Sequence, residues 1–366
     1  MTRSATSSGG AAEADTSVDP SSTTPALKQA GTGTTAPSRR RGPRSAVVIT
    51  LIVLAFLAMV VTSLLVGVAD FSIGDLFDSE TRAGAFDLLM ISRIPRTLAL
   101  ILAGSALAVC GLIMQLLTRN IFVEPSTAGT MEFAGLGLVL VALLWPDASV
   151  VVRMLAGSVL ALAGTALFLR ILNQINLRDI LVVPLIGIML GGIVAAAATF
   201  LAYRADLLQS LGAWTTGDFS AVLAGRYEML WIAGLATVIA MVVADRFTVA
   251  GMGEAFTTNL GLNYRRTLSF GLSVVSVVSA IIVVTVGMLP FLGLVVPNIV
   301  RLFVGDNARK SVPLVAIGGA GLILACDLVA RSVVYPYELP ISTVMGVLGA
   351  IVFLYLLLGK KGARRG

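Results

Sequence analysis

The stretch Arg93-Ile-Pro-Arg96 sets two guanidinium groups about one helical turn apart, directly before a long apolar run. Arginine's planar fork takes a carboxylate through two N–H bonds, so capture of acidic groups is the chemistry open to this pair. A guanidinium at the centre of a bilayer costs roughly 2.5–3.5 kcal/mol on insertion scales, which puts the pair at the mouth of a helix. Two roles fit there: anchoring in the headgroup layer, or receiving the acidic side chains of a partner. Pro95 suits a helix start. Other reactive chemistry is scarce. The 366 residues contain no histidine, which removes the commonest metal ligand and the usual proton shuttle near neutral pH. Cys110 and Cys326 lie inside apolar runs and read as small core residues. No phosphate-binding loop occurs. The nearest string, GDNARKS at 305–311, lacks the second glycine that would cradle a phosphate. No metal site, cofactor site or nucleophile–base pair is expected, so the chain does not read as an enzyme.

A lipid-embedded scaffold must position these residues. Apolar residues make up 57% of the chain and charged ones 13%, with a mean hydropathy of +0.94. A soluble domain carries about 25% charged residues. The fold class is therefore an all-α integral membrane protein. About ten apolar segments lie near 46–69, 96–117, 129–146, 149–172, 181–203, 228–245, 267–287, 291–304, 312–330 and 341–358. Most approach the roughly 20 residues that a bilayer core requires. Residues 1–45 are rich in Ser, Thr, Ala and Gly and read as a disordered cytoplasmic tail. Residues 46–360 form the membrane domain, and 361–366 a short basic tail. Basic clusters (Arg39, Arg40, Arg41 and Arg44; Lys360, Lys361, Arg364 and Arg365) flank the first and last spans. That places both termini in the cytoplasm, as an even number of spans requires. It also accounts for the sequence pI near 9.7 without nucleic acid. By the same count Arg93, Arg96 and the acidic stretch Asp70 to Asp87 face outside.

Several motifs recur in order: Arg93-Ile-Pro-Arg96, the TRN…P loop at 118–125, GLVVPNIVR at 293–301, and DLVARSV…ELPI at 327–341. With them the chain resembles the FecCD-type permease subunits of iron-siderophore and cobalamin ATP-binding-cassette importers, the type II importer family. The resemblance covers about residues 46–360. It implies ten transmembrane helices per subunit and a path formed with a second permease subunit, identical or not. It implies an extracytoplasmic binding protein that delivers a ferric siderophore, and two cytoplasmic ATPase subunits that drive the cycle. It places the chain in the cytoplasmic membrane. Arg93, Arg96 and, by resemblance, Arg331 would receive glutamates from the binding protein. Reversing Arg93 and Arg96 to Glu is expected to weaken docking while the permease still assembles.

The longest cytoplasmic connection, 245–267, contains GMGEAFTTNLGLN, which suits a short helix ended by Gly261. Such a loop is either a solvated connection or a docking helix. The resemblance implies ATPase coupling there, through Glu254, Leu260, Gly261 and Asn263. Met114, Gln115, Thr118, Asn120, Met131, Asn173 and Gln174 are soft or polar residues near helix ends, suited to a path, a gate or core packing. The stretch at 173–180 matches the family's cytoplasmic gate. Arg119 and Arg301 read as positive-inside anchors. Glu132 would neutralise an arginine, cap a helix dipole or face the path. Asn298 stands where the family pattern has a histidine, so no role of that histidine carries over. An ion-coupled secondary transporter of a small metal chelate is the alternative. It would need intramembrane acids, for which Glu132, Asp327 and Asp179 are the candidates. Asp327 precedes Arg331 by four residues and is expected to pair with it instead.

Overall fold

A computed structural model describes residues 43–67, 74, 78, 81–174, 182–304 and 308–362. The expected N-terminal tail up to residue 42, the gate stretch from 175 on, Asp179 and residues 363–366 lie outside the described residues. The tail gives way to helix at Pro43, slightly before the expected boundary. The helices are α1 (Pro43–Leu65), α2 (Arg82–Leu88), α3 (Ile94–Thr118), α4 (Thr130–Leu144), α5 (Val150–Gln174), α6 (Val182–Arg204), α7 (Leu208–Thr215), α8 (Leu230–Val242), α9 (Ala244–Ala250), α10 (Glu254–Asn259), α11 (Tyr264–Val286), α12 (Leu292–Val304), α13 (Ala308–Ser332) and α14 (Ile341–Gly362). A π-helical turn, Leu89–Arg93, joins α2 to α3.

Among the described residues five helical runs are long and apolar enough to cross a membrane, and the α8–α9 pair, bent by 64°, passes the same test if taken as one span. Four shorter apolar helices lie in α1, α4, α12 and α14. Each overlaps one of the apolar segments read from the sequence.

The run containing α3 is the hub. Of its most apolar stretch 78% is buried, against 28% for α6. The hub helix packs on α8, α11, α12 and α13. Small residues make the closest approaches. A Cβ on Gly104 would overlap Gly319 and Ile323 of α13, and one on Gly111 would overlap the backbone of Gly293 in α12. In lipid, apolar surface gains little by leaving its solvent, so helices gain attraction through such close packing. By contrast α6 leaves Leu185, Ile188, Met189, Ile193 and Phe200 exposed, a face for lipid or for another subunit.

Two stretches are not helical although they lie deep in the structure. The first, 119–129, links α3 to α4. The second, 287–291, links α11 to α12. The start of α12 meets α3 at Gly111, about 25 Å along α3 from Ile94 at 1.5 Å per residue. Irregular backbone at membrane depth survives only where protein or a water-filled cavity surrounds it. Val123, Ala128 and Leu289 are accordingly inaccessible.

Candidate functional site

Three groups of residues sit along α3. The first is a charge cluster at its N-terminal end. Asp327 of α13 is fully buried and uses both carboxylate oxygens. Its Oδ1 accepts from Arg96 Nη2 at 2.7 Å and Nε at 3.2 Å, and its Oδ2 accepts from Arg331 Nη2. The outer edge of the Arg96 fork, Nη1, donates to Glu338 Oε2 at 2.7 Å. Arg331 also donates to the Val66 carbonyl at 2.6 Å and to Ser63 Oγ at 3.0 Å. Arg93 donates to the same Val66 carbonyl. The end of α1, the start of α3 and the end of α13 are thereby lashed together. A buried arginine is tolerated only when it is paired and hydrogen-bonded, and this cluster meets that condition for Arg96 and Arg331.

The second group braces the broken helix α12. Pro297 has no N–H, so the Gly293 carbonyl one turn back loses its helical donor. Gln115 of α3 supplies the replacement, with Nε2 at 3.3 Å from the Gly293 oxygen. Asn298 Nδ2 donates to the Ile121 carbonyl at 2.7 Å and to the Leu294 carbonyl at 2.8 Å. Glu124, fully enclosed, accepts from the Phe291 N–H at 2.7 Å and from the Ser126 hydroxyl. Its carboxylate therefore sits at the N-terminal end of α12, where free N–H groups favour negative charge. A short non-helical loop and a short helix stabilise one another in this way.

The third group is a turn at the opposite end of α3. Arg119 caps that end in the left-handed conformation (φ 51°), and its guanidinium lies over Gly253 (φ 116°), just before α10. Met252, Phe256 and Leu260 are about half exposed on this turn, and Glu254, Gly261 and Asn263 are exposed beside them. Thr257 holds α10 down by donating to the Val249 carbonyl at 3.0 Å. Gly261 (φ 77°) closes the helix. Asn263 then caps α11, its side chain accepting from the Arg266 N–H at 3.0 Å. The short helix and its glycine stop match the sequence expectation.

The family model described as the FecCD transport family matches residues 53–359. The chain belongs to the FecCD transport family. The petrobactin import system permease protein YclN of Bacillus subtilis is 46% identical over 313 residues, covering 86% of this chain and 97% of that one. The ferric-anguibactin transport system permease protein FatD of Vibrio anguillarum is 38% identical, covering 85% and 98%. A solved metal-chelate-type ABC transporter in an inward-facing conformation matches the fold with a TM-score of 0.72 at 23% identity, covering 86% of this chain and 99% of that one.

Within this FecCD chain the expected site residues fall into distinct environments. Arg93, Arg96 and Arg331 come together, but buried and bonded within the chain, not displayed on an open rim. Charge reversal at 93 and 96 would therefore act on a cluster that also joins elements of this chain. Glu at 96 would add a third carboxylate beside Asp327 and Glu338, with Arg331 still bonded to Asp327. Met114, Gln115, Asn120 and Met131 are buried in the chain. Gln115 braces α12, and Asn120 Oδ1 accepts from the Phe122 N–H at 2.9 Å. Within this chain their environment is that of packing residues. Gln174 is exposed at the end of α5, and the Asn173 side chain lies outside what is described. Glu132 meets no arginine. Its Oε2 has no hydrogen-bond partner and lies against Gly191 of α6. Asp327 pairs with Arg331 as its spacing implied, and with Arg96 as well.

Glu124 and Glu338 were not singled out from the sequence. Each had a weak signal: a carboxylate in an apolar loop, and another between Pro336 and Pro340 at the edge of a span.

Proposed function

We propose that this chain is the permease subunit of an ATP-driven importer that carries a ferric siderophore across the cytoplasmic membrane. A binding protein docks over the charge cluster around Arg93, Arg96 and Arg331. One of two ATPase subunits grips the turn formed by Met252, Glu254, Phe256, Leu260 and Gly261. A second permease subunit completes the path, and both termini lie in the cytoplasm. The observation that carries this reading is the course of α3. One stiff helix, about 37 Å long at 1.5 Å per residue, bears Arg96 at one end and Arg119, seated on the α10 turn, at the other. A push on α10 therefore reaches a rod that ends in the docking cluster. Family membership and the likeness to siderophore permeases support the same reading. The ion-coupled alternative is weakened at Asp327, whose two oxygens are taken by arginines.

The test is uptake into proteoliposomes that hold the assembled importer. Ferric siderophore should accumulate only with ATP on the ATPase side and binding protein on the other. Accumulation that ignores ATP and follows a proton or sodium gradient would overturn the proposal.

A second prediction concerns Gly261. A Cβ there meets nothing within 4 Å, so Gly261→Trp costs the permease only the backbone strain of a left-handed residue, about 1–2 kcal/mol. The indole would project where an ATPase must seat. The expected result is an intact permease that still binds ATPase, with uptake per ATP hydrolysed falling at least about ten-fold. Unchanged coupling would remove this turn from the contact.

A further inference from the structure

The charge cluster contains a residue that no docking scheme assigns. We infer that Glu338 is an internal stand-in for the partner's carboxylate: it holds Arg96 Nη1, beside the N–H groups that a docking acid would take, and docking must displace it. This inference rests on the docking role proposed above for the arginines.

The two acids of the cluster are unlike one another. Asp327 is built in. It lies on α13, its side chain is wholly buried, and each of its oxygens serves a different arginine. Withdrawing it would strand two guanidiniums. Glu338 is lightly held. It sits on the connection between α13 and α14, its side chain is 17% exposed, and its hydrogen bond is to Arg96 Nη1. The connection around it is open: Val333, Val334, Tyr335 and Tyr337 are all exposed. Its backbone is pinned one residue on, where the Leu339 N–H donates to the Ala330 carbonyl at 3.1 Å. The side chain can therefore swing while the loop stays in place.

Of the five N–H groups on Arg96, the one on Nε and one on Nη2 serve Asp327, and one on Nη1 serves Glu338. The N–H groups left on Nη1 and Nη2 lie beside that bond, so an incoming carboxylate that takes them comes up against the Glu338 carboxylate. Two carboxylates cannot sit there together without mutual repulsion, so docking exchanges one acid for another. The exchange makes a bond much like the one it breaks. The pre-paired cluster therefore holds affinity down and lets the binding protein leave after each delivery, an effect that falls mainly on the off-rate. It also adds a second carboxylate beside Arg96 when nothing is docked, since Asp327 is shared with Arg331.

The experiment uses the complete importer in nanodiscs. The probe is the binding protein that stimulates the importer's ATP hydrolysis, loaded with ferric siderophore. Glu338→Gln removes the competing charge at nearly constant shape. The dissociation constant should fall about three- to ten-fold, chiefly through a slower off-rate. In the same variant without binding protein, Arg96 should react faster with an arginine-selective dicarbonyl reagent, read by peptide mass spectrometry. Glu338→Asp, too short to reach Nη1 easily, should give a smaller change in the same direction. It also serves as the test if the Gln variant fails to assemble. Docking by either assembled variant that is unchanged or weaker overturns the stand-in role. A separate arm tests the underlying reading without touching the permease: the acidic surface residues of the binding protein are neutralised. If that leaves docking to wild-type importer intact, the arginines are not the docking site. If it abolishes docking while Glu338→Gln still fails to tighten it, only the inference about Glu338 falls.

Discussion

Asp327→Ala should leave little folded permease. The substitution removes a carboxylate whose two oxygens neutralise Arg96 and Arg331 inside the protein. Truncating one member of a buried ion set costs about 3–5 kcal/mol, because the remaining charges stay desolvated and unpaired. Here two cations would be left. The hydrogen bond of Glu338 goes to Arg96, and Arg331 would keep hydrogen bonds to the Ser63 and Val66 oxygens, with Nε already lacking a partner. The loss falls where α1, α3 and α13 meet, so the packing of the hub helix goes with it. The measurement is size-exclusion chromatography and thermal unfolding of detergent-purified protein. The expected outcome is a collapse of monodisperse yield, with Asp327→Asn intermediate because its amide still bonds one guanidinium. Wild-type thermal stability in Asp327→Ala would show that the cluster does not hold the fold.

Gly111→Val should be nearly as damaging, for a reason that involves no charge. Any Cβ at 111 runs into the Gly293 backbone, which cannot rotate away as a side chain can. Overpacking of this kind costs about 1–3 kcal/mol by itself. The secondary loss is larger here. Parting α3 from α12 removes the Gln115 donor from the Gly293 carbonyl, which Pro297 has already deprived of its helical partner. A buried, unpaired carbonyl costs about a further 1–3 kcal/mol. The same thermal assay should show a large drop for Gly111→Val and almost none for Gly192→Val, whose added Cβ meets nothing within 4 Å. Equal stability of the two variants would mean that the α3–α12 contact is not tight.

The features that were legible in the sequence are local or additive. The apolar segments depend on the total hydropathy of short windows, and the apolar helices of the structure overlap them. The helix at Glu254–Asn259 and its stop at Gly261 depend on turn chemistry within a few residues. The Asp327–Arg331 pair depends on a spacing of four on one helix. The environments of the soft residues were not legible. Met114, Gln115, Asn120 and Met131 lie near helix ends in the chain, which suggested a path or a gate as readily as packing. In the folded chain, however, all four are buried. Nor could a motif reveal that an arginine on an external mouth would be buried. Exposure depends on what stands opposite, and the acids opposite Arg96 are 231 and 242 residues further on.

By itself, then, the sequence determined that lipid is the solvent, roughly where the helices run, which family the motifs resemble, and that energy must come from another chain. Those conclusions rest on composition and on contacts within a turn or two. Only the tertiary structure decided that Arg96 shares Asp327 with Arg331 and donates from Nη1 to Glu338. It likewise decided that Glu124, Gln115 and Asn298 hold a broken helix together. The physical reason is the same in each case. A polar group withdrawn from water must find a partner, but that partner need only be near in space. Any of several donors or acceptors, hundreds of residues away, could have met the need.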